Sequence, residues 1–284
     1  MPTLRLSAQA LLAMLAFAAN SLLCRQAFLT TDIDAASFTC VRILSGACVL
    51  LLLVGPRTVR TEGSWPSALM LFVYAAGFSF AYLQLGAATG ALLLFAAVQC
   101  TMIFWGFIRG ERLSVFQWIG VLVAVAGLVV MMLPGLSSPP FGGAILMIVA
   151  GVAWGIYSLR GRGVTNALGN TAGNFARAVP LALLTSILFI STMALDPAGV
   201  VYGIASGALA SGAGYAIWYT VLPALKATSA ATIQLSVPVL TALGGVMFLA
   251  EPITPRLGLA SLMILGGLMA FILAGADSGK VSGR

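Results

Sequence analysis

Aromatic and amide side chains at helical spacing are the residues of this sequence best suited to chemistry. Tyr74, Phe78 and Tyr82 recur every fourth residue, so in a helix they share one face. Trp154 with Tyr157, and Tyr215 with Trp218 and Tyr219, are spaced the same way. Flat rings with a few polar tips suit an aromatic or amphipathic solute, which stacks while its polar groups find amide and hydroxyl partners. Asn20, Gln99 and Gln234 can each donate and accept, as recognition of a zwitterion requires. Every one of these residues has a plainer role open to it. Trp218 and Tyr219 stand near a run end and read first as interfacial belt residues. Tyr74 and Phe78 serve packing equally well, and the amides could join helix to helix. Tyr82, Trp154, Tyr157 and Tyr215 stand with the three amides as substrate-binding candidates.

Arg42 and Arg177 each begin about two turns inside an apolar run, roughly 10 Å along a helix. Snorkelling to the membrane surface is the first expectation for them, and a carboxylate-attracting vestibule the second. Pro238 lies in the middle of a run, where its missing N–H kinks or loosens the helix; it is a candidate gate or a packing feature. Catalysis has little to work with. There is no His, and Asp32, Asp34, Glu62, Glu111, Asp196, Glu251 and Asp277 all fall near run ends, so no enzyme is expected. Cys24, Cys40, Cys48 and Cys100 lack metal-type spacing and read as packing residues, and neither a cofactor nor a metal is called for.

The elements that must position these residues follow from composition. Of 284 residues, 61% are hydrophobic and 7% charged, with a mean hydropathy of +1.08. A soluble chain is about half apolar and about a quarter charged, so this is a membrane protein. Apolar runs occupy residues 8–29, 35–54, 65–85, 87–108, 115–133, 141–159, 172–195, 198–222, 227–250 and 257–274. Each is near the roughly 20 residues that cross a bilayer. Backbone groups in lipid must be satisfied internally, and barrel strands would alternate polar with apolar, so ten transmembrane helices are expected. A polar group facing lipid is costly, so the polar residues of spans one, three, four, six, eight and nine should surround a central cavity. Spans five and ten are nearly featureless and belong at the rim. The pairs Gly86/Gly90, Gly106/Gly110, Gly151/Gly155 and Gly203/Gly207 read as close packing within the bundle.

The formal charge of +7 does not point to nucleic acid, because the basic residues are scattered between apolar runs. With ten spans, one side collects Arg5, Arg57, Arg60, Arg109, Arg112, Arg160, Arg162, Lys226, Lys280 and Arg284, and the other only Arg25 and Arg256. That bias places both termini in the cytoplasm. The first run, behind Arg5, resembles a secretory signal but reads as a retained span, since the repeat described next requires it.

Residues 87–130 align without a gap on 227–270, setting Thr101 on Thr241, Glu111 on Glu251 and Gly127 on Gly267. In the remaining spans Arg25 pairs with Arg160 and Arg42 with Arg177. Two five-helix halves are implied, 1–134 and 135–284, joined as one transmembrane domain. An odd number of spans per half turns the second half upside down, and such inverted repeats characterise secondary transporters.

Ten spans in two halves, the turns at Glu111 and Glu251, and the stretch Tyr219 to Ala231 resemble the EamA family of the drug/metabolite transporter superfamily. Within it the chain is most similar to bacterial YddG-type aromatic amino acid exporters. That resemblance implies alternating-access export of small amphipathic metabolites, aromatic amino acids foremost, from the bacterial inner membrane. Its implied partners are the solute and the lipid bilayer, and a monomer is expected. Other small metabolites or drugs, carried with or without a proton, are the alternative, and a membrane sensor or structural protein is a more distant one. Because no acidic residue sits mid-span, the simplest expectation is a facilitator.

Overall fold

A computed structural model describes residues 2–281 apart from 111, 136, 137 and 226. Glu111, Lys226 and Arg284, which carried part of the topology and repeat argument, lie outside the described residues. The helices are α1 (Pro2–Thr30), α2 (Ala35–Thr61), α3 (Trp65–Tyr82), α4 (Ala87–Ile108) and α5 (Val115–Met132). They continue as α6 (Phe141–Arg160), α7 (Ala167–Leu188), α8 (Pro197–Ala224), α9 in two pieces (Ala227–Gln234 and Ser236–Leu249) and α10 (Pro255–Val281). All ten are long and apolar enough to cross a membrane. Leu52, Phe116, Met247 and Leu262 are among the large apolar side chains left on the outside, where lipid replaces water.

Local chemistry sets the ends. Ser64 accepts from the backbone N–H of Ser67 ahead of Pro66 in the first turn of α3, and Ser114 with Gln117 forms a capping box at the start of α5. The helix of α7 begins five residues before the expected apolar run because the Asn166 side chain caps it, accepting from Gly169 N–H at 3.0 Å. It correspondingly ends at Leu188, and a short 3-10 turn (Ile190–Thr192) follows.

The packing is symmetric. α1 packs on α8 and α9 as α6 packs on α3 and α4, while α2 meets α7, α4 meets α9, and α5 meets α10. Exchanging every helix for the one five places along the chain maps this set onto itself. The expected rim pair holds together through small residues: a Cβ on Gly120 would come within 2.6 Å of the Gly267 carbonyl oxygen, and one on Gly267 within 2.5 Å of that of Gly120. Gly90, Gly151, Gly155, Gly203 and Gly207 likewise lie against neighbouring helices. Gly110 instead turns the chain, at a φ of 86°.

Asp34 fixes the entry to α2. Its Oδ1 accepts from the N–H groups of Ala36 and Ser37, and its Oδ2 from that of Ala194, each at 2.9 Å. Burial raises its pKa, but these hydrogen bonds outweigh burial and hold the carboxyl below its ordinary value. A depressed folded-state pKa contributes stability that is present above the unfolded-state pKa and is lost as pH falls through the folded-state value. Asp34→Ala is therefore expected to destabilise by about 1 kcal/mol at neutral pH. In melting temperatures measured against pH, the gap from the natural protein should close on acidification. A gap independent of pH would mean that ionisation of Asp34 contributes nothing.

Candidate functional site

A cavity of about 700 Å³ lies where α1, α3, α4, α6, α8 and α9 converge. These are the helices whose polar residues pointed inward. The cavity reaches exposed residues of the segment 161–168, past the end of α6, and Pro223 near the end of α8, and its other lining includes the buried Asn20, Tyr74 and Phe78. Beyond Phe78 the bundle is closed. Cys24, Ser79 and Tyr82 are fully buried there, and Arg25 pairs with Glu251 through Nε to Oε1 at 3.2 Å.

Trp154 is the centre of an aromatic wall. Its ring lies 5.2 Å from that of Tyr157 and 5.3 Å from that of Tyr215, both stacked at 25°, and 4.7 Å from that of Tyr74. Tyr215 continues the wall to Tyr219 at 6.4 Å, and Phe17 closes onto Tyr215 and Trp218. Trp154 is only partly buried, whereas Tyr157 and Tyr215 are each 5% exposed. Of these three stacked rings the indole is thus the one with free surface to offer a solute.

Polar groups gather at two levels. Near the mouth, Tyr157 donates to Thr171 Oγ1, Asn174 Nδ2 donates to the Tyr157 oxygen, and Thr171 meets the Tyr219 hydroxyl at 3.2 Å. At the closed end, Asn20 Nδ2 donates to the Tyr74 hydroxyl at 3.3 Å and Ser206 Oγ donates to Asn20 Oδ1. Ser206 belongs to Ala205–Ala213, a stretch of α8 wound as a π-helix. Such wide turns are frequent at functional sites because they re-aim side chains without breaking the helix. Gln99 and Gln234 line the wall between the two levels.

Of the substrate-binding candidates, Asn20, Gln99, Trp154, Tyr157, Tyr215 and Gln234 are brought together on the cavity. Tyr82 is not. It follows Tyr74 and Phe78 on the same helix face but lies one turn deeper, in the closed end, where its hydroxyl donates to the Ala87 carbonyl at 3.2 Å. The belt expectation for Trp218 and Tyr219 fails, since both line the cavity and Trp218 is 5% exposed. Arg42 does not snorkel: its face of α2 is turned inward, and its Nη2 donates to the Tyr74 hydroxyl at 2.9 Å. Arg177 stays away from the cavity. Its guanidinium donates to the carbonyls of Val59, Arg60, Glu62 and Gly173, where it offsets the negative end of the α2 dipole.

Pro238 is buried and outside the lining, but it has no N–H to offer the carbonyl of Gln234 four residues back. α9 is interrupted at Leu235, between those two residues. Thr171, Asn174 and Ser206 were missed by sequence reasoning. Asn174, within an apolar run like Asn20, carried the same signal.

The sequence matches the EamA-like transporter family over residues 7–133 and again over 141–273. An uncharacterized protein of Pseudomonas aeruginosa is 53% identical over 277 residues, 96% of each chain. An uncharacterized transporter of Archaeoglobus fulgidus is 29% identical over 177 residues, 58% of this chain and 60% of its own. A solved protein structure, 20% identical, matches with a TM-score of 0.64 over 94% of this chain and 98% of its own, a likeness of fold.

Proposed function

Because the chain belongs to the EamA-like transporter family, matched in both halves, we propose that it exports small amphipathic solutes, aromatic amino acids foremost, across the bacterial inner membrane by alternating access. The halves 1–134 and 135–284 are the moving units, and one chain, which contains the whole cavity, suffices. The observation that carries this reading is the cavity itself, walled by the stacked rings of Trp154, Tyr157 and Tyr215, with exposed lining residues beside the segment 161–168 and buried ones at Asn20, Tyr74 and Phe78. Arg160 and Arg162 stand at the exposed end, so the positive-inside bias makes it the cytoplasmic one and this state inward-open. Solute enters from the cytoplasm, stacks on Trp154, and leaves when the halves rock to the opposite arrangement. No Asp or Glu is among the described lining residues, and transport runs down the solute's own gradient.

The test is counterflow of labelled amino acids in proteoliposomes. Phe, Tyr and Trp should exchange well ahead of Leu and Gln. Trp154→Ala should lower aromatic exchange about tenfold while purified yield stays near normal, since one stacked ring contributes about 0.5–1.5 kcal/mol beyond its buried area. Equal exchange across the panel would discard the aromatic substrate and leave the fold untouched.

A further inference from the structure

The closed end of the cavity holds a positive charge without a counter-charge. Arg42 is 2% exposed, and its guanidinium carbon lies 4.6 Å from the Phe78 ring centroid and 5.2 Å from that of Tyr74. Its Nη1 has no hydrogen-bond partner among the described residues, and the ion pair found among them, Arg25 with Glu251, uses other groups. An isolated buried cation is costly, and two aromatic faces offset only part of that cost.

Arg42 reaches the cavity through Tyr74. The Tyr74 oxygen accepts from both Arg42 Nη2 and Asn20 Nδ2, so its lone pairs are engaged and its own proton remains to be donated. Tyr74 and Asn20 line the cavity. So does Ser211, whose Oγ is buried and without a partner among the described residues. A phenol O–H, a spare amide N–H and a serine O–H, backed by a guanidinium, form a set of donors with no acidic group among them. That is the chemistry of an anion site.

We propose that this floor is an anion subsite that takes the carboxylate of an amphipathic solute whose flat part stacks on Trp154, Tyr157 and Tyr215. Tyr74 and Asn20 touch the carboxylate, and Arg42, one layer behind, is a positioning residue that supplies the charge. The inference rests on the aromatic-solute reading and deepens it. With no Asp or Glu among the described lining residues to receive an ammonium, an aromatic acid binds at least as tightly as the zwitterion with the same ring, and the amine binds poorly.

The test compares 3-phenylpropionate, phenylalanine and phenethylamine on the purified full-length protein. Binding is read by quenching of tryptophan fluorescence, and each compound competes against labelled phenylalanine in proteoliposomes. The acid and the amino acid should bind, with the amine about tenfold or more weaker. Arg42→Gln and Tyr74→Phe should each weaken the acid about tenfold and leave the amine unchanged. Without ligand, Arg42→Gln should melt no lower than the natural protein, because the charge it removes is uncompensated. A residue serving only structure would lower the melting temperature and affect all three ligands alike, and that result overturns the proposal. If Arg42→Gln does not fold, Tyr74→Phe carries the same discrimination. Amine binding as tight as acid binding removes the anion subsite alone. Failure of all three compounds to bind removes the aromatic reading, and the subsite with it.

Discussion

Gly207→Ala is expected to leave almost no folded protein in the membrane. A Cβ at this position would stand 2.0 Å from the carbonyl oxygen of Arg42 and 2.2 Å from Ser45 Oγ, whereas real Cβ contacts essentially never fall below 3.0 Å. The nearer obstacle is backbone and cannot rotate away, so α2 and α8 would have to separate. The facing glycine gives no room, since a Cβ on Gly46 would already lie 2.7 Å from the Phe175 ring and 3.0 Å from the Gly207 carbonyl. Overpacking of this kind costs about 3 kcal/mol or more, a large share of the 5–15 kcal/mol typical of a folded domain. Separation would also pull Arg42 from Tyr74 and loosen the floor of the cavity. Yield of monodisperse protein on size-exclusion chromatography is the measurement, with Gly266→Ala as the control. Nothing lies within 4 Å of a Cβ at Gly266, so that variant should express normally and gain slightly from alanine's helix propensity. Normal yield of Gly207→Ala would mean that the α2–α8 crossing is looser than these distances indicate.

The spans were legible because a bilayer leaves the backbone one solution per apolar run. Where the reading slipped, hydropathy was reporting lipid contact in a helix whose polar side faces inward. Thr171 is buried against the cavity wall, yet together with the polar stretch before it this residue pushed the apparent start of α7 to residue 172. Arg42 was misjudged for the same reason. Snorkelling assumes a lipid-facing cation, and sequence depth alone does not say which way the residue turns. The belt reading of Trp218 and Tyr219 rested on height in the membrane, which cavity mouth and interface share. Tyr82 shows the converse limit, because helical spacing fixes a face but not how far along that face the cavity extends. The π-helical turn that brings Ser206 to Asn20 has no signature in ASGALASGA, a run of small residues compatible with several windings.

Breaking the Arg25–Glu251 pair is expected to open the closed end. Glu251 spends one oxygen on Arg25 Nε and the other on the Ala87 N–H, at 2.7 Å, where a carboxylate also complements the positive end of the α4 dipole. Arg25 Nη1 in turn donates to the Tyr82 carbonyl at 2.9 Å. These bonds join α1, α3 and α4 of the first half to the turn between α9 and α10 of the second. They form one of several polar links across this end, beside the hydrogen bonds of Asp34 with Ala194 and of the Arg256 guanidinium with the carbonyls of Leu133 and Pro134. The two side chains are 18% and 17% exposed, enough screening to place the loss on Glu251→Gln at about 1–2 kcal/mol rather than the larger figure for a fully buried pair. A two-state equilibrium then moves about tenfold toward the arrangement open at that end.

Cys24 is the built-in reporter, next to Arg25 and fully buried. With Cys40, Cys48 and Cys100 replaced by Ala, an impermeant thiol reagent added from outside should label Cys24 about tenfold faster in Glu251→Gln than in the same background with Glu251 intact. Solute added at the same time should slow the labelling if it favours the inward-open state and speed it if it favours the outward-open one. Unchanged labelling in a variant that elutes and melts normally would show that the ion pair does not hold this end shut. Apolar packing around Phe78 and Tyr82, with the hydrogen bonds of Asp34 to Ala194 and of Arg256 to Leu133 and Pro134, would then hold the closure.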